Sequence, residues 1–272
     1  MQIITKVSTQ KRKGYYNIFL NNQFAFGVSE RTLSEFRLLV GVELTDEQIK
    51  EIKQFEVDDK ALQSAISYLS YQPRSINEIE RYLQKKDISV ETIKRVINQL
   101  TDLGYLDDKK YVELFIKNDL RVGKNGPKTL IFKLTQKGID KRISENVISK
   151  IAPEEWIEAG MRLTNSLRNQ TGKLALKEIQ RKAKTKLISH GFTSELSDLV
   201  IESLDLREDS NERLEALKKQ GSKAWRRYRN NDNYIKKQKV RRVLYQHGFS
   251  SNEIDDFLNG EIINLQDLNS NY

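Results

Sequence analysis

The feature that most constrains this chain is a fourfold internal repeat. The first copy reads Tyr82-Leu83-Gln84-Lys85-Lys86-Asp87-Ile88 and the second Lys133-Leu134-Thr135-Gln136-Lys137-Gly138-Ile139. The third reads Lys186-Leu187-Ile188-Ser189-His190-Gly191-Phe192 and the fourth Val243-Leu244-Tyr245-Gln246-His247-Gly248-Phe249. The pivots Asp87, Gly138, Gly191 and Gly248 lie 51, 53 and 57 residues apart. A Leu stands four residues before each pivot and an apolar residue directly after it. Apolar pairs recur further on: Val96-Ile97, Val147-Ile148, Val200-Ile201 and Phe257-Leu258. A period of this length marks a helical repeat array, in which each unit buries its apolar face against its neighbours.

One unit can be read residue by residue. Leu62, Ile66 and Leu69 make an apolar stripe on a first helix. Ser75-Ile76-Asn77-Glu78 is a capping box opening a second, with Ile76, Ile79, Tyr82 and Leu83 on one face. The pivot ends that helix, because glycine takes up the left-handed C′ conformation cheaply. Asp87 stands there in the first unit, so its turn is expected to differ. A third helix starts near Ser89, carries Ile93, Val96, Ile97 and Leu100, and stops before Gly104. Ser250-Ser251-Asn252-Glu253 opens the third helix of the last unit in the same way.

Ahead of the repeats, two β-prone runs within residues 15–28 flank Asn21-Asn22, and Asn tolerates the left-handed backbone of a tight hairpin. Ile3 to Val7 offers a third strand, Ser29-Glu30-Arg31-Thr32-Leu33 a short helix, and Thr45-Asp46-Glu47-Gln48 a capping box. The expected fold is mainly α: an elongated array of four tandem three-helix repeats with a small N-terminal β-hairpin module. The expected boundaries are 1–58 for the hairpin module, 59–107, 108–152, 153–206 and 207–260 for the repeats, and 261–272 for a tail.

Charge narrows the partner. The chain carries a formal net charge of +9, which favours a polyanion. From Lys218 to Arg242 the only acid is Asp232, and Trp225, Tyr228 and Tyr234 lie among the cations. Lys173, Lys177, Arg181 and Lys184 are spaced as on one helix face. Lys133, Lys137 and Lys141 are four apart. The blander reading of each cluster is a solvated helix face, with Trp225 and Tyr228 in the core. Recurrence on the second helices of three repeats favours a stripe that tracks phosphates or an acidic groove. Acids gather instead at 43–59, including Glu43, Asp46, Glu47, Glu51, Glu56, Asp58 and Asp59.

Three stretches stand out: Tyr71-Gln72-Pro73-Arg74-Ser75 with Glu78 and Leu83, Leu103-Gly104-Tyr105-Leu106-Asp107-Asp108, and Lys237 to Phe249. In their order and spacing they resemble the RecX family, bacterial regulators built from three-helix repeats. The likeness covers residues 59–260, and the hairpin is similar to that of longer Gram-positive forms. The resemblance implies a non-catalytic binder of the RecA–DNA filament groove that blocks filament growth, ATP hydrolysis, strand exchange and cleavage of the SOS repressor. Binding to single- or double-stranded DNA without sequence preference, as a cytoplasmic monomer, goes with it. The residues expected to make contact are Arg226, Arg227, Arg229, Lys236, Lys237, Lys239, Arg241 and Arg242, then Lys133, Lys137, Lys177, Arg181 and Lys184.

Other chemistries find little support. Cysteine is absent, which excludes disulfides and thiol chemistry. The N-terminus lacks the pattern of a signal peptide, and the run Leu38-Leu39-Val40-Gly41-Val42 is too short to span a bilayer. His190 and His247 each precede a pivot glycine, where imidazole suits a helix C-terminus, and neither has a companion ligand. Gly123-Lys124-Asn125-Gly126-Pro127-Lys128-Thr129 fails the phosphate-loop spacing because Pro127 precedes Lys128. Asp107-Asp108 and Asp255-Asp256 read as helix starts or surface. No catalytic residue, cofactor or metal is expected. Two other functions remain: a helix-turn-helix-like, sequence-specific DNA-binding regulator, and a helical scaffold for an acidic protein.

Overall fold

The computed structural model describes residues 1–206 and 209–268. The expected start of the fourth repeat at 207 and the last four residues of the expected tail lie outside the described residues. Strands β1 (Gln2–Thr9), β2 (Tyr15–Leu20), β3 (Gln23–Ser29) and β4 (Glu43–Leu44) form one antiparallel sheet in the order β3-β2-β1-β4. Asn21 and Asn22 have φ of 49° and 68°, the left-handed pair that a two-residue hairpin turn needs. Ile4, Ile18, Leu20, Phe26 and Val28 face a core completed by Leu38, Ile49 and Ile52.

Helix α1 (Glu30–Glu35) starts at Ser29, whose Oγ accepts the Thr32 N–H. Helix α2 (Asp46–Leu69) opens with both bonds of the Thr45–Gln48 capping box. Two of its acids turn inward. The Glu56 carboxylate accepts from Ser29 N–H at 2.8 Å and from Thr32 Oγ1 at 2.6 Å. Asp59 accepts from Ser29 Oγ at 3.2 Å and Arg31 Nη1 at 2.8 Å. Glu56 and Asp59 are therefore buried partners of the start of α1, where carboxylates suit the helix dipole, and do not belong to a solvated acidic cluster. The boundary expected at 58/59 falls inside α2, which is one continuous helix of 24 residues.

The first three-helix unit consists of α2, α3 (Ile76–Gln84) and α4 (Val90–Asp102). Leu62, Ile79, Leu83, Ile93, Val96 and Leu100 are buried together, with Ile66, Leu69, Ile76 and Tyr82 packed around them. The next three helices are α5 (Asp108–Val122), α6 (Pro127–Gln136) and α7 (Lys141–Ile148). The third set is α8 (Pro153–Thr164), a 3-10 helix (Asn165–Gln170), α9 (Leu176–Ser189) and α10 (Ser194–Ser203). The fourth is α11 (Ser210–Arg227), α12 (Asn233–Gln246) and α13 (Ser251–Asn259). The chain clusters into two compact units, Met1–Tyr111 with Thr135–Ile143, and Val112–Leu134 with the residues from Ser144 onward.

The pivots explain the repeat. All four have left-handed backbones, with φ of 58° at Asp87, 80° at Gly138, 87° at Gly191 and 96° at Gly248. The turn at Asp87, expected to differ, thus keeps the same hand. In the first compact unit the pivot turn at Gly138 closes on the start of α3: Ser75 Oγ donates to Lys137 O at 2.7 Å. A Cβ on Gly138 would lie 2.3 Å from the Asn77 side chain. In the second, the turn at Gly191 closes on the start of α6 in the same way. Gly126 N–H donates to His190 O at 2.8 Å, and Lys128 N–H to Gly191 O at 3.0 Å. A Cβ on Gly191 would meet Thr129 at 2.3 Å, and one on Gly248 would meet Lys177 of α9 at 2.7 Å. At the first two of these junctions, free carbonyls at one second helix's C-terminus meet donors at the N-terminus of the second helix before it. Asp87 is exposed, so a side chain fits there.

Gly191→Ala is expected to destabilise the protein by about 2–4 kcal/mol, the sum of a left-handed penalty and overpacking. Asp87→Gly is expected to be neutral or to stabilise by up to about 1 kcal/mol, since only the backbone penalty is relieved. Urea unfolding midpoints of the two variants test both statements.

Candidate nucleic-acid interface

The richest run of cations spans the end of α11, the following turn and α12. Arg226 and Arg227 are in the last turn of α11, the first helix of the fourth unit, and Arg229 lies in the turn. These three were expected on the second helix. Asp232 caps the start of the next helix, α12, accepting from Tyr234 N–H at 3.2 Å. Trp225 is buried in the unit's core with Leu217, Val240, Leu244 and Phe257.

Lys236 is not a surface contact residue. It is only 5% exposed, with its Nζ 3.9 Å from the Trp225 ring centroid, and burial lowers its pKa. Arg241 is ion-paired with Asp255. Lys239 donates to Asn231 Oδ1 at 2.6 Å and lies 5.5 Å from the Tyr228 ring, with Arg227 at 5.6 Å from the same ring. Arg226, Arg227, Arg229 and Arg242 are exposed, and Lys237 is half-buried. Arg226, Arg229, Lys236 and Lys237 line one cavity of about 770 Å³. Among the described residues its lining also holds Asn230, Asn259 and Gln266, and no carboxylate. Arg241 and Arg242 border a smaller cavity of about 210 Å³ beside Tyr245.

The cations expected in the earlier units are more engaged. Arg181 is bound to Glu178 at 2.7 and 2.9 Å, and Lys184 to Asp198 at 2.7 and 2.9 Å. Lys177 is exposed at the tip, but its Cβ packs beneath Gly248. Lys133 is exposed on α6. Lys137 lies past the end of α6, with its Nζ 2.9 Å from Glu78 and 5.8 Å from the Tyr111 ring. Burial is the largest single influence on the Lys137 pKa and lowers it; the hydrogen bonds and charges of Glu78 and Tyr111 together outweigh burial and raise it. The surface side chains available to a polyanion are therefore weighted towards the fourth unit. The Lys137–Glu78 pair was not legible from spacing, because it joins residues 59 apart.

The paired aspartates are structural. Asp107 accepts from Lys110 N–H at 3.0 Å in the first turn of α5. Asp108 accepts from Ile76 N–H at 3.0 Å, and burial raises its pKa. His190 and His247 cap α9 and α12 at their C-termini. No group of three or more His, Asp or Glu side chains that could hold a metal occurs among the described residues. No helix among them is long and apolar enough to cross a membrane.

Three family profiles match. "Regulatory protein RecX N-terminal domain" covers residues 2–45, "RecX, first three-helix domain" 61–100, and "RecX, third three-helix domain" 211–258. A regulatory protein RecX from Lactobacillus gasseri is 57% identical over 268 residues, 98% of this chain and 99% of that one. The chain belongs to the RecX family. A more distant regulatory protein RecX, from Bacillus velezensis, is 34% identical over 262 residues, 96% of this chain and 100% of its own. A crystal structure of regulatory protein RecX superposes with a TM-score of 0.63 at 29% identity, covering 74% of this chain and all of that one. That of RecX from Lactobacillus salivarius gives 0.53 at 32% identity, over 56% and 98% of the two chains. The third RecX domain thus falls on α11, α12 and α13, the elements that carry the cation cluster.

One ion pair near this cluster was not suggested by sequence spacing. Arg213 of α11 grips Glu253 of α13, whose second oxygen also closes the Ser250 capping box. The Arg213 bond holds the Glu253 carboxyl at about 2, well below its ordinary 4.5. A lowered carboxyl pKa contributes stability that is complete above pH 4.5 and is lost as pH falls through about 2. Arg213→Gln is expected to return the Glu253 pKa towards 4.5 and to make unfolding of the fourth unit less steeply acid-dependent in that window. Carboxyl-carbon NMR titration of Glu253, with acid unfolding of both proteins, measures it.

Proposed function

We propose that this chain is a negative modulator of RecA. It binds in the groove of the RecA–DNA filament as a monomer in the cytoplasm and inhibits ATP hydrolysis, strand exchange and coprotease action. It thereby restrains recombination, DNA repair and the SOS response, and is not itself a catalyst. The observation that carries this reading is kinship with regulatory proteins RecX along 98% of the chain. The net charge of +9 and the exposed cations of the fourth unit support it physically. Arg226, Arg229, Lys237 and Arg242 are the foremost candidates to meet phosphates or acidic RecA side chains. Lys133 and Lys177 come next. Arg181 and Lys184 would first have to leave their own carboxylates. DNA contact of this kind is indifferent to sequence, because phosphates carry no sequence information.

RecA ATP hydrolysis on single-stranded DNA, with this protein titrated below one molecule per RecA, tests the reading. Strong inhibition well below equimolar protein is expected. Charge reversal of Arg226, Arg229, Lys237 and Arg242 together is expected to weaken inhibition at least about tenfold with helicity unchanged. The salt dependence of direct single-strand binding should fall by about 0.7 in log–log slope for each phosphate contact removed. No inhibition by folded parent protein, with strong preference for one duplex sequence, would favour the sequence-specific regulator instead.

A further inference from the structure

We propose that the outer face of the N-terminal sheet is a contact surface for single-stranded DNA, stacking bases on Phe24 and Phe19 while Lys6 and the turn between β1 and β2 attract the phosphates. The proposal rests on the reading of this chain as a binder of DNA filaments. It gives the strand module a role that the cations of the fourth unit do not fill.

Two irregularities in the sheet build this face. Alternation along the strands carries Ile4, Ile18, Leu20, Phe26 and Val28 into the core. Counted by twos from Ile4, Lys6 would point inward as well, and counted back from Phe26, so would Phe24. A register shift between Ile4 and Lys6 leaves Thr5 as an extra residue in β1. A second shift leaves Ala25 as an extra residue in β3, because Ile18 faces Phe26 while Phe19 faces Phe24. Each bulge reverses the face of the residue beyond it. Lys6, Phe19 and Phe24 thus form one row across three strands. Phe19 lies between the buried Ile18 and Leu20, so the row is on the outer face. The contacts agree. Lys6 Nζ is 5.4 Å from the Phe19 centroid, and the two rings meet edge to face at 5.9 Å. Lys6 is exposed, and Phe24 is 60% exposed. Two interruptions of the ladder therefore turn an aromatic ring out of the core and into water, and bulges commonly re-aim side chains beside functional sites.

The chemistry of the face selects its occupant. The next row is Ser8, Asn17 and Gly27. Gln10 reaches across it: its Nε2 donates to Tyr16 O at 3.3 Å, and a Cβ on Gly27 would stand 2.5 Å from that nitrogen. The exposed turn Lys11-Arg12-Lys13 begins at most roughly 18 Å from Lys6, the reach of the extended chain between them. Residues 1–29 hold Lys6, Lys11, Arg12 and Lys13 and no Asp or Glu. Glu43, opposite Ile3, and Glu30, beside Gly14, stand at the margins. A protein partner would bury an apolar centre, whereas between the rings and the turn this face offers a hydroxyl, two amides and a glycine. A duplex would satisfy the cations, but its bases are stacked on each other. Aromatic rings on an open sheet face stack the unpaired bases of a single strand. Cations beside such rings track its backbone without sequence preference.

The test uses the full chain without RecA, carrying Arg226→Gln, Arg229→Gln, Lys237→Gln and Arg242→Gln so that the sheet is read apart from the fourth unit. Anisotropy of a labelled oligodeoxythymidylate at low salt gives affinity, and a strand carrying 5-iododeoxyuridine maps contact by photo-crosslinking. Residual binding is expected, with the crosslink at Phe24 or Phe19. Adding Phe24→Ala is expected to weaken it about five- to tenfold with circular dichroism unchanged, and Phe24→Tyr to preserve it. Lys6→Gln, Lys11→Gln and Lys13→Gln together are expected to lower the log–log salt slope by about 2. Absence of residual binding, affinity indifferent to Phe24→Ala, or a crosslink confined to residues outside the sheet would overturn the proposal. Because RecA is absent, those results leave the filament reading standing. Parent protein that crosslinks at Phe24 and yet fails to inhibit RecA would overturn that reading alone.

Discussion

The later three repeats depend on one junction, in which a left-handed turn closes on the N-terminus of an earlier helix. The turn must come within contact distance of backbone and Cβ atoms, and only a residue without a side chain leaves room. At Gly138 and Gly191 the carbonyls exposed by the end of one helix are taken up by donors at the start of another. Two sets of unsatisfied groups thus remove each other, and apolar contact between helices does not have to offset their burial. The helices of each unit then pack around a Leu four residues before the pivot, and Leu83, Leu134, Leu187 and Leu244 are all fully buried.

Local signals in the sequence carried much of this architecture. The capping boxes at Thr45, Ser75 and Ser250, the Asn21-Asn22 turn and the left-handed pivots all depend on residues within a few positions of each other. Their energetics are settled before the chain meets itself. Features that depend on distant residues were not legible. Strand β4 is two residues long and has no pattern of its own; it exists because β1 offers an edge. The burial of Lys236 over Trp225 depends on how α11 and α12 cross. In sequence it is one lysine in a basic run.

The candidate site follows the same division. Composition located the basic run from Lys218 to Arg242, and the third RecX domain falls on it. Which cations are available was decided by partners on other helices. Asp255 takes Arg241, Asp198 takes Lys184 and Glu78 takes Lys137. A surface that looks uniformly basic in sequence is resolved by folding into structural ion pairs and a smaller set of solvent-facing charges. The aromatic residues divide likewise, Trp225 into the core and Tyr234 into solvent.

Helix α2 has a mechanical consequence. Its N-terminal half packs against the sheet through Ile49 and Ile52, and its C-terminal half belongs to the first three-helix core through Leu62 and Ala65. At 24 residues it is a rod of about 36 Å with no break at the join. The strand module and the first helical unit therefore share a stiff shaft where a flexible tether would allow swivelling. A torque applied to the sheet reaches the first helical unit directly, so a partner gripping the strands would turn both as one lever.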